Sequence, residues 1–161
     1  MMPSKSISET SNHDQFAAIH GWRSHRHCDD FFYAAEEAAR AGNIDACRTA
    51  FAAFDQAVRQ HLDAEEQLLF PRFEDATGMR MGPTVVMRGE HDEFRALLLQ
   101  MIRQLDASDL DGFLGNADTF LILMQQHNLK EENVLYPMMD QALAAQREQL
   151  INELQHTLEP A

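Results

Sequence analysis

The string "HLDAEEQLLFP" at residues 61–71 returns as "HNLKEENVLYP" at residues 127–137. Both copies spell His-x-x-x-Glu-Glu-x-x-Leu-aromatic-Pro. On a helix, residues four apart stand one above the other, separated by roughly 6 Å of axial rise, so His61 with Glu65 and His127 with Glu131 form two convergent pairs. Neither residue type is one that an apolar core selects. The repeat reaches further upstream. "SHRHCDDFF" (24–32) and "EHDEFRALL" (90–98) each hold a His in second place, and His25 precedes His61 by the same 36 residues that separate His91 from His127. Each half of the chain therefore carries one template: a His, then 36 residues on, His-x-x-x-Glu.

That template has a chemistry. Imidazole nitrogen and carboxylate oxygen form a donor set that suits iron, manganese or zinc rather than copper(I). Helices that turned His25, His61, His91 and His127 together with Glu65 and Glu131 inward would bury four imidazoles and two carboxylates. Without a cation, each carboxylate would be desolvated at a cost of several kcal/mol or would shift its pKa and neutralise. Two divalent ions roughly 3.5 to 4 Å apart remove the difficulty, with carboxylates bridging and imidazoles terminal. Glu66 and Glu132, about 100° further round the helix, are expected to face solvent, with contact to the ligands as the alternative.

The rest of the chain fits such a site. Its 161 residues suffice for one domain with a core. A balance of 26 acidic against 13 basic side chains, formal charge −13, opposes nucleic acid and anionic membrane surfaces as partners. The longest apolar stretch, near Phe120 to Met124, is far too short to span a bilayer. The polar start, "MMPSKSISETSNHDQF", has no apolar signal region, which predicts a cytoplasmic location and a flexible segment over residues 1–13. Cys28 and Cys47 make no disulfide framework and are expected to be reduced thiols.

Between sparse Gly and Pro signals, apolar residues recur at three- and four-residue spacing, which predicts an all-α fold. The expected helices run from about Asp14 to Arg40, closed by Gly42-Asn43; Ile44 to Ala76, ended by Thr77-Gly78; Thr84, as cap, to Leu105; and Ser108, with Asp111, to Ala145. Short connections make sequential helices antiparallel, giving an up-down-up-down four-helix bundle over residues 14–145, with a short C-terminal helix and tail over 146–161. Pro71 and Pro137 are expected to kink their helices or weaken the last turns.

With its strings "HLDAEEQLLFP", "MRGEHDEF" and "QQHNLKEENVLYP", the chain resembles the hemerythrin-like, or HHE cation-binding, domains from about Gly21 to Ala142. The resemblance implies a four-helix bundle around two non-haem iron ions with a bridging oxo, hydroxo or water. It makes His25, His61, His91 and His127 terminal ligands and Glu65 and Glu131 bridging ones. One position departs. Oxygen-carrying hemerythrins place a further His one turn before the third-helix ligand, where this chain has Met87, and a thioether is a poor partner for ferric iron. More open coordination follows, which argues against specialised reversible oxygen transport.

Four other histidines carry no such template. His13, His20 and His27 share a face of the first helix other than that of His25 and read as surface or interface residues, with His20 in reserve as a ligand. His156 is expected to face solvent. Tyr33 and Tyr136 are redox-capable, though core packing with a bonded hydroxyl is the commoner fate. Three functional readings follow. The first is a di-iron protein binding oxygen or nitric oxide for sensing, buffering or stress response. The second is an iron-centre repair factor or di-iron redox enzyme, for which the chain shows no ferredoxin-type cysteine set and no Gly-rich nucleotide loop. Metal storage ranks third, because storage bundles use Glu-x-x-His, the reverse order. A homodimer and a separate protein partner stay open.

Overall fold

The computed structural model describes residues 23–158, and side chains from residue 28 to residue 156. The expected helical residues before position 23, with His13 and His20, lie outside the described residues, as do the side chains of His25 and His27. Every regular element among the described residues is helical, and there is no strand. Helix α1 is Arg23–Arg40, and α2 is Ile44–Ala64. A π-helical turn, Glu65–Leu69, joins α2 to α3, Phe70–Thr77. After a short loop come α4, Pro83–Asp106, and α5, Leu110–Lys130. A second π turn, Glu131–Leu135, leads into α6, Tyr136–Ala142, and α7 is Arg147–Leu158.

The helix ends follow local chemistry. Gly42 and Gly78 take left-handed backbone angles, φ of 73° and 71°, where a side chain would be strained. Asn43 opens the next helix rather than closing the last, since its side chain accepts from Ala46 N at 3.1 Å. Two expected caps are corrected. Thr84 does not cap α4, which starts after Gly82 with Pro83 in its first turn. Its hydroxyl instead donates to Glu74 Oε2 at 2.8 Å inside the protein. At α5 the cap is Asp109, accepting from Gly112 N at 2.9 Å, whereas Ser108 is spent on the turn itself at φ 56°.

Helix α1 packs on α2 and α5, and α4 packs on α5 and α2. Two apolar clusters result. One holds Phe32, Phe51, Phe54, Phe94, Phe113 and Phe120. The other holds Phe70, Phe73, Met87, Leu135, Tyr136 and, from α7, Leu150 and Leu154. Their boundary falls within the repeated strings, because Leu62 belongs to the first cluster and Leu69 to the second. Helix α7 is held there by Arg147, whose Nη2 donates to Asp140 O at 2.6 Å, and by Arg72 paired with Glu153 at 3.2 Å. No described helix is long and apolar enough to cross a membrane.

Candidate metal centre

The two π turns lie where the repeated strings require them. A Pro ring collides with the carbonyl four residues back and offers no N–H, so an ordinary α-helix cannot run undisturbed through Pro71 or Pro137. Widening one turn resolves the conflict. Phe70 N–H bonds Glu65 O, five residues back, and Tyr136 N–H bonds Glu131 O in the same way. The kink expected from proline is thus a single wide turn, and it starts at the carboxylate of each template. In the first copy, Arg88 Nη1 lies 3.4 Å from Glu66 O, a carbonyl within the wide turn.

These turns and the facing helices converge. Glu65, His91, His127 and Glu131, all buried, each offer one ligand atom, and those atoms lie within 4.8 Å of one another. His61 joins them, with Nε2 2.7 Å from Glu65 Oε1. His127 Nε2 contacts Glu131 Oε1, and His91 Nε2 stands 3.9 Å from Glu65 Oε1. The His91 and His127 rings are 5.0 Å apart. Aromatic walls set their planes: Phe70 stacks on His91 at 5.5 Å, and Phe94 meets His127 edge-on at 5.0 Å. Five of the six residues read from the sequence as metal ligands are therefore together, and the sixth, His25, has its side chain outside the described residues.

Electrostatics shows what such a cluster needs. Burial alone would pull both His61 and His127 down, but Glu65 holds His61 above its ordinary value, and Glu131 with its neighbours lifts His127 to about 9. Burial prevails at His91, which sits below its ordinary value. The imidazoles of His61, His91 and His127 face Glu65 and Glu131. Neither ring nitrogen of His91 makes a hydrogen bond within that set. Two interior carboxylates close together are expensive unless positive charge lies between them, supplied by protons on the imidazoles or by a metal cation. The donor set, nitrogen and oxygen only, fits a hard or borderline cation.

Around this core lie residues that spacing alone did not reveal. Glu90 Oε2 is 3.0 Å from His127 Nδ1, and its other oxygen is held by Lys130. Burial would raise the Glu90 carboxyl, yet Lys130 and His127 bring it below its usual range. Glu66, expected at the surface, is instead clamped by Arg95, with Nη1 3.0 Å from Oε1, and stands 3.6 Å from His91 Nδ1. Arg95 likewise overcomes burial and lowers the Glu66 carboxyl. Tyr136 is wholly buried and donates its hydroxyl to Glu131 Oε2. Burial and Glu131 push the phenol far above its normal range, so it keeps its proton. Met87 packs in the cluster that contains Phe70 and Tyr136. Glu132 and His156 are exposed. Tyr33, half exposed, takes no part in the cluster, while Cys28 and Cys47 are buried free thiols.

Beside His61 lies an apolar cavity of about 30 Å³, lined among others by Cys28, Phe32, Phe54, Val58 and Phe120. Roughly 10–15 Å³ admits one water, so a molecule of two heavy atoms fits.

No curated protein and no solved structure shows significant similarity to the chain. The family model described as "Hemerythrin HHE cation binding domain" matches residues 22–139, a span that contains both repeated strings, both π turns and the whole buried cluster. The chain belongs to the hemerythrin HHE cation-binding domain family.

Proposed function

We propose that this protein holds two non-haem iron ions through His25, His61, Glu65, His91, His127 and Glu131, and uses them to bind oxygen or nitric oxide for sensing, buffering or stress response. In this reading α1, α2 with α3, α4, and α5 with α6 form an up-down-up-down four-helix bundle within residues 14–145, with α7 as an added C-terminal helix. The observation that carries the reading is the buried quartet Glu65, His91, His127 and Glu131, with ligand atoms within 4.8 Å of one another. Bound iron would supply a redox-active Lewis acid able to take a diatomic ligand.

The chain's own residues do the rest. The π turns aim Glu65 and Glu131 at the same interior point from two helices. Phe70 and Phe94 exclude water and fix the imidazole planes. The hydroxyl of Tyr136 holds one oxygen of Glu131. The cavity beside His61 gives a small apolar molecule a place to wait.

Anaerobic titration of the reduced, iron-loaded protein with nitric oxide tests this. A saturable change in the optical spectrum, lost in His91→Ala, is expected. Iron-loaded protein whose spectrum ignores both nitric oxide and oxygen would overturn the diatomic reading, and continuous consumption of nitric oxide would move the protein to the enzyme class.

A further inference from the structure

Behind the first wide turn, two helices interlock through a short run of side chains. Phe70 and Glu74 stand four residues apart on one face of α3, and Thr84, Arg88 and His91 share one face of α4 at offsets of four and seven residues. Glu74, nearly buried, is gripped from both sides. Its Oε2 accepts from the Thr84 hydroxyl at 2.8 Å, and its Oε1 accepts from Arg88 Nη2 at 2.8 Å. The Arg88 guanidinium in turn lies over the Phe70 ring at 5.3 Å, close enough for attraction between the cation and the ring's negative face. The same ring stacks on His91 at 5.5 Å.

Phe70 is the centre of this clasp because it touches two residues of the buried cluster. Its ring meets His91, and its N–H bonds the carbonyl of Glu65, five residues back. Pro71 contributes no N–H there, so the turn keeps fewer backbone bonds than an unbroken α-helix. Whatever holds the ring therefore bears on both ligands. Arg88 is suited to that task, since its charge-assisted bond to Glu74 tethers a partly exposed guanidinium that would otherwise swing into solvent.

We propose that Arg88, tethered by Glu74, is a positioning residue that holds Phe70 against His91 and so fixes the ring plane of one metal ligand and the backbone of another, Glu65. This rests on the reading of the buried cluster as a metal centre.

Cobalt(II), whose visible absorption reports the geometry of its ligands, is the probe that separates the two. Full-length wild type and the variants Arg88→Met, Glu74→Gln, Phe70→Leu and Phe70→Leu/Arg88→Met are loaded with it, and affinity is read by competition with a chelator. Arg88→Met should weaken binding by roughly 10-fold, the low end of what losing an outer partner of a ligand costs, and should change the visible spectrum. Glu74→Gln should move both in the same direction by less. Once Phe70→Leu is in place, adding Arg88→Met should cost little more, because Arg88 acts through that ring. In the metal-free protein, the ring-current shift that Phe70 imposes on the His91 protons should shrink in Arg88→Met. Arg80→Met, which breaks the exposed pair with Asp75 on α3, should leave affinity and spectrum at their wild-type values. Wild-type affinity and spectrum in Arg88→Met, an equal loss in Arg80→Met, or an undiminished loss on the Phe70→Leu background would overturn the proposal while leaving the metal centre standing. If Arg88→Met does not fold, Glu74→Gln, which leaves no carboxylate unpaired, decides by the same readouts, and wild-type values there overturn the proposal. A wild-type chain that binds neither cobalt nor ferrous iron would overturn both.

Discussion

Residues 61–71 and 127–137 fold to the same shape and sit in different company. Each ends an α-helix in a His and a Glu, passes through a five-residue π turn and resumes α-helix at an aromatic residue followed by Pro. Around the first copy, Phe70 lies 5.3 Å beneath the Arg88 guanidinium and stacks on His91. Around the second, the matching aromatic is Tyr136, whose hydroxyl binds the carboxylate of its own string. The outer acid also differs, being Glu66 from the string itself in one case and Glu90 from a neighbouring helix in the other. Backbone geometry is thus duplicated where it aims the carboxylates, and the side chains behind it have diverged where they tune each half.

The comparison breaks most completely if the inward residues are removed. His61→Ala, His91→Ala, His127→Ala, Glu65→Ala and Glu131→Ala should each abolish or more than halve bound metal, measured as metal per folded chain, whereas His156→Ala should not. His25→Ala belongs with the first group and His13→Ala and His27→Ala with the second. Full metal in His25→Ala combined with loss in His20→Ala would reassign the first-helix ligand.

Removing the metal itself should be the next largest effect. A ligand present at 100 to 1,000 times its dissociation constant stabilises a fold by about 3 to 4 kcal/mol, which for a chain of this size shifts the midpoint by roughly 10 °C. Verified chelation that leaves the melting curve unmoved would mean the buried carboxylates are compensated in some other way.

Making the halves alike sharpens the contrast. Tyr136→Phe gives the second copy the aromatic residue of the first and removes one donor from Glu131. A hydrogen bond to a charged group is worth about 1.5 to 3 kcal/mol, so the metal-free protein should lose about that much in urea unfolding, and the loaded protein less. Equal losses in both forms would show that the hydroxyl does not serve the carboxylate.

A smaller effect follows from protons standing in for metal. In the metal-free protein His127 is held at about 9 against an ordinary 6.5. A raised folded-state value means its stabilisation is full below about 6.5 and is lost as pH climbs through about 9. Thermal midpoints of the metal-free protein should therefore fall between neutral and alkaline pH, while those of the loaded protein, with Nε2 engaged, should stay flatter. Smallest of all, Glu132→Gln at the exposed second position of its string should change metal content and stability less than Glu66→Gln, which removes one of the two carboxylates, Glu66 and Asp63, that hydrogen-bond Arg95 and should cost measurable stability.

Much of this was legible in the residues. The 36-residue interval and the His-x-x-x-Glu pairs picked out the buried cluster because helical geometry is local and regular. The turns at Gly42 and Gly78 were legible for the same reason. What escaped depends on contacts between helices or on competition between neighbours. The spacing of Glu90 and His91 says nothing about His127 on another helix, although asking which acid backs each ligating His would have singled out "GEHDEF". Glu66 looked exposed because a helical wheel places it off the ligand face, and only the approach of α4 brings Arg95 and His91 to it. Pro71 and Pro137 announced a disturbance, but a missing N–H and a ring clash do not by themselves choose between a kink and a wide turn. Thr84 and Ser108 lost their expected capping roles to Glu74 and Asp109, a choice between adjacent polar side chains that tertiary contacts decide.

The central claim, that the duplicated string builds a metal-binding interior, is tested most directly by metal analysis and X-ray absorption on protein purified from its native host, alongside the Glu65→Ala/Glu131→Ala double variant prepared identically. The account predicts two iron ions per wild-type chain, coordinated by nitrogen and oxygen only, and near-complete loss in the folded double variant. Wild-type protein without bound metal, or a double variant that keeps its full complement, would contradict it.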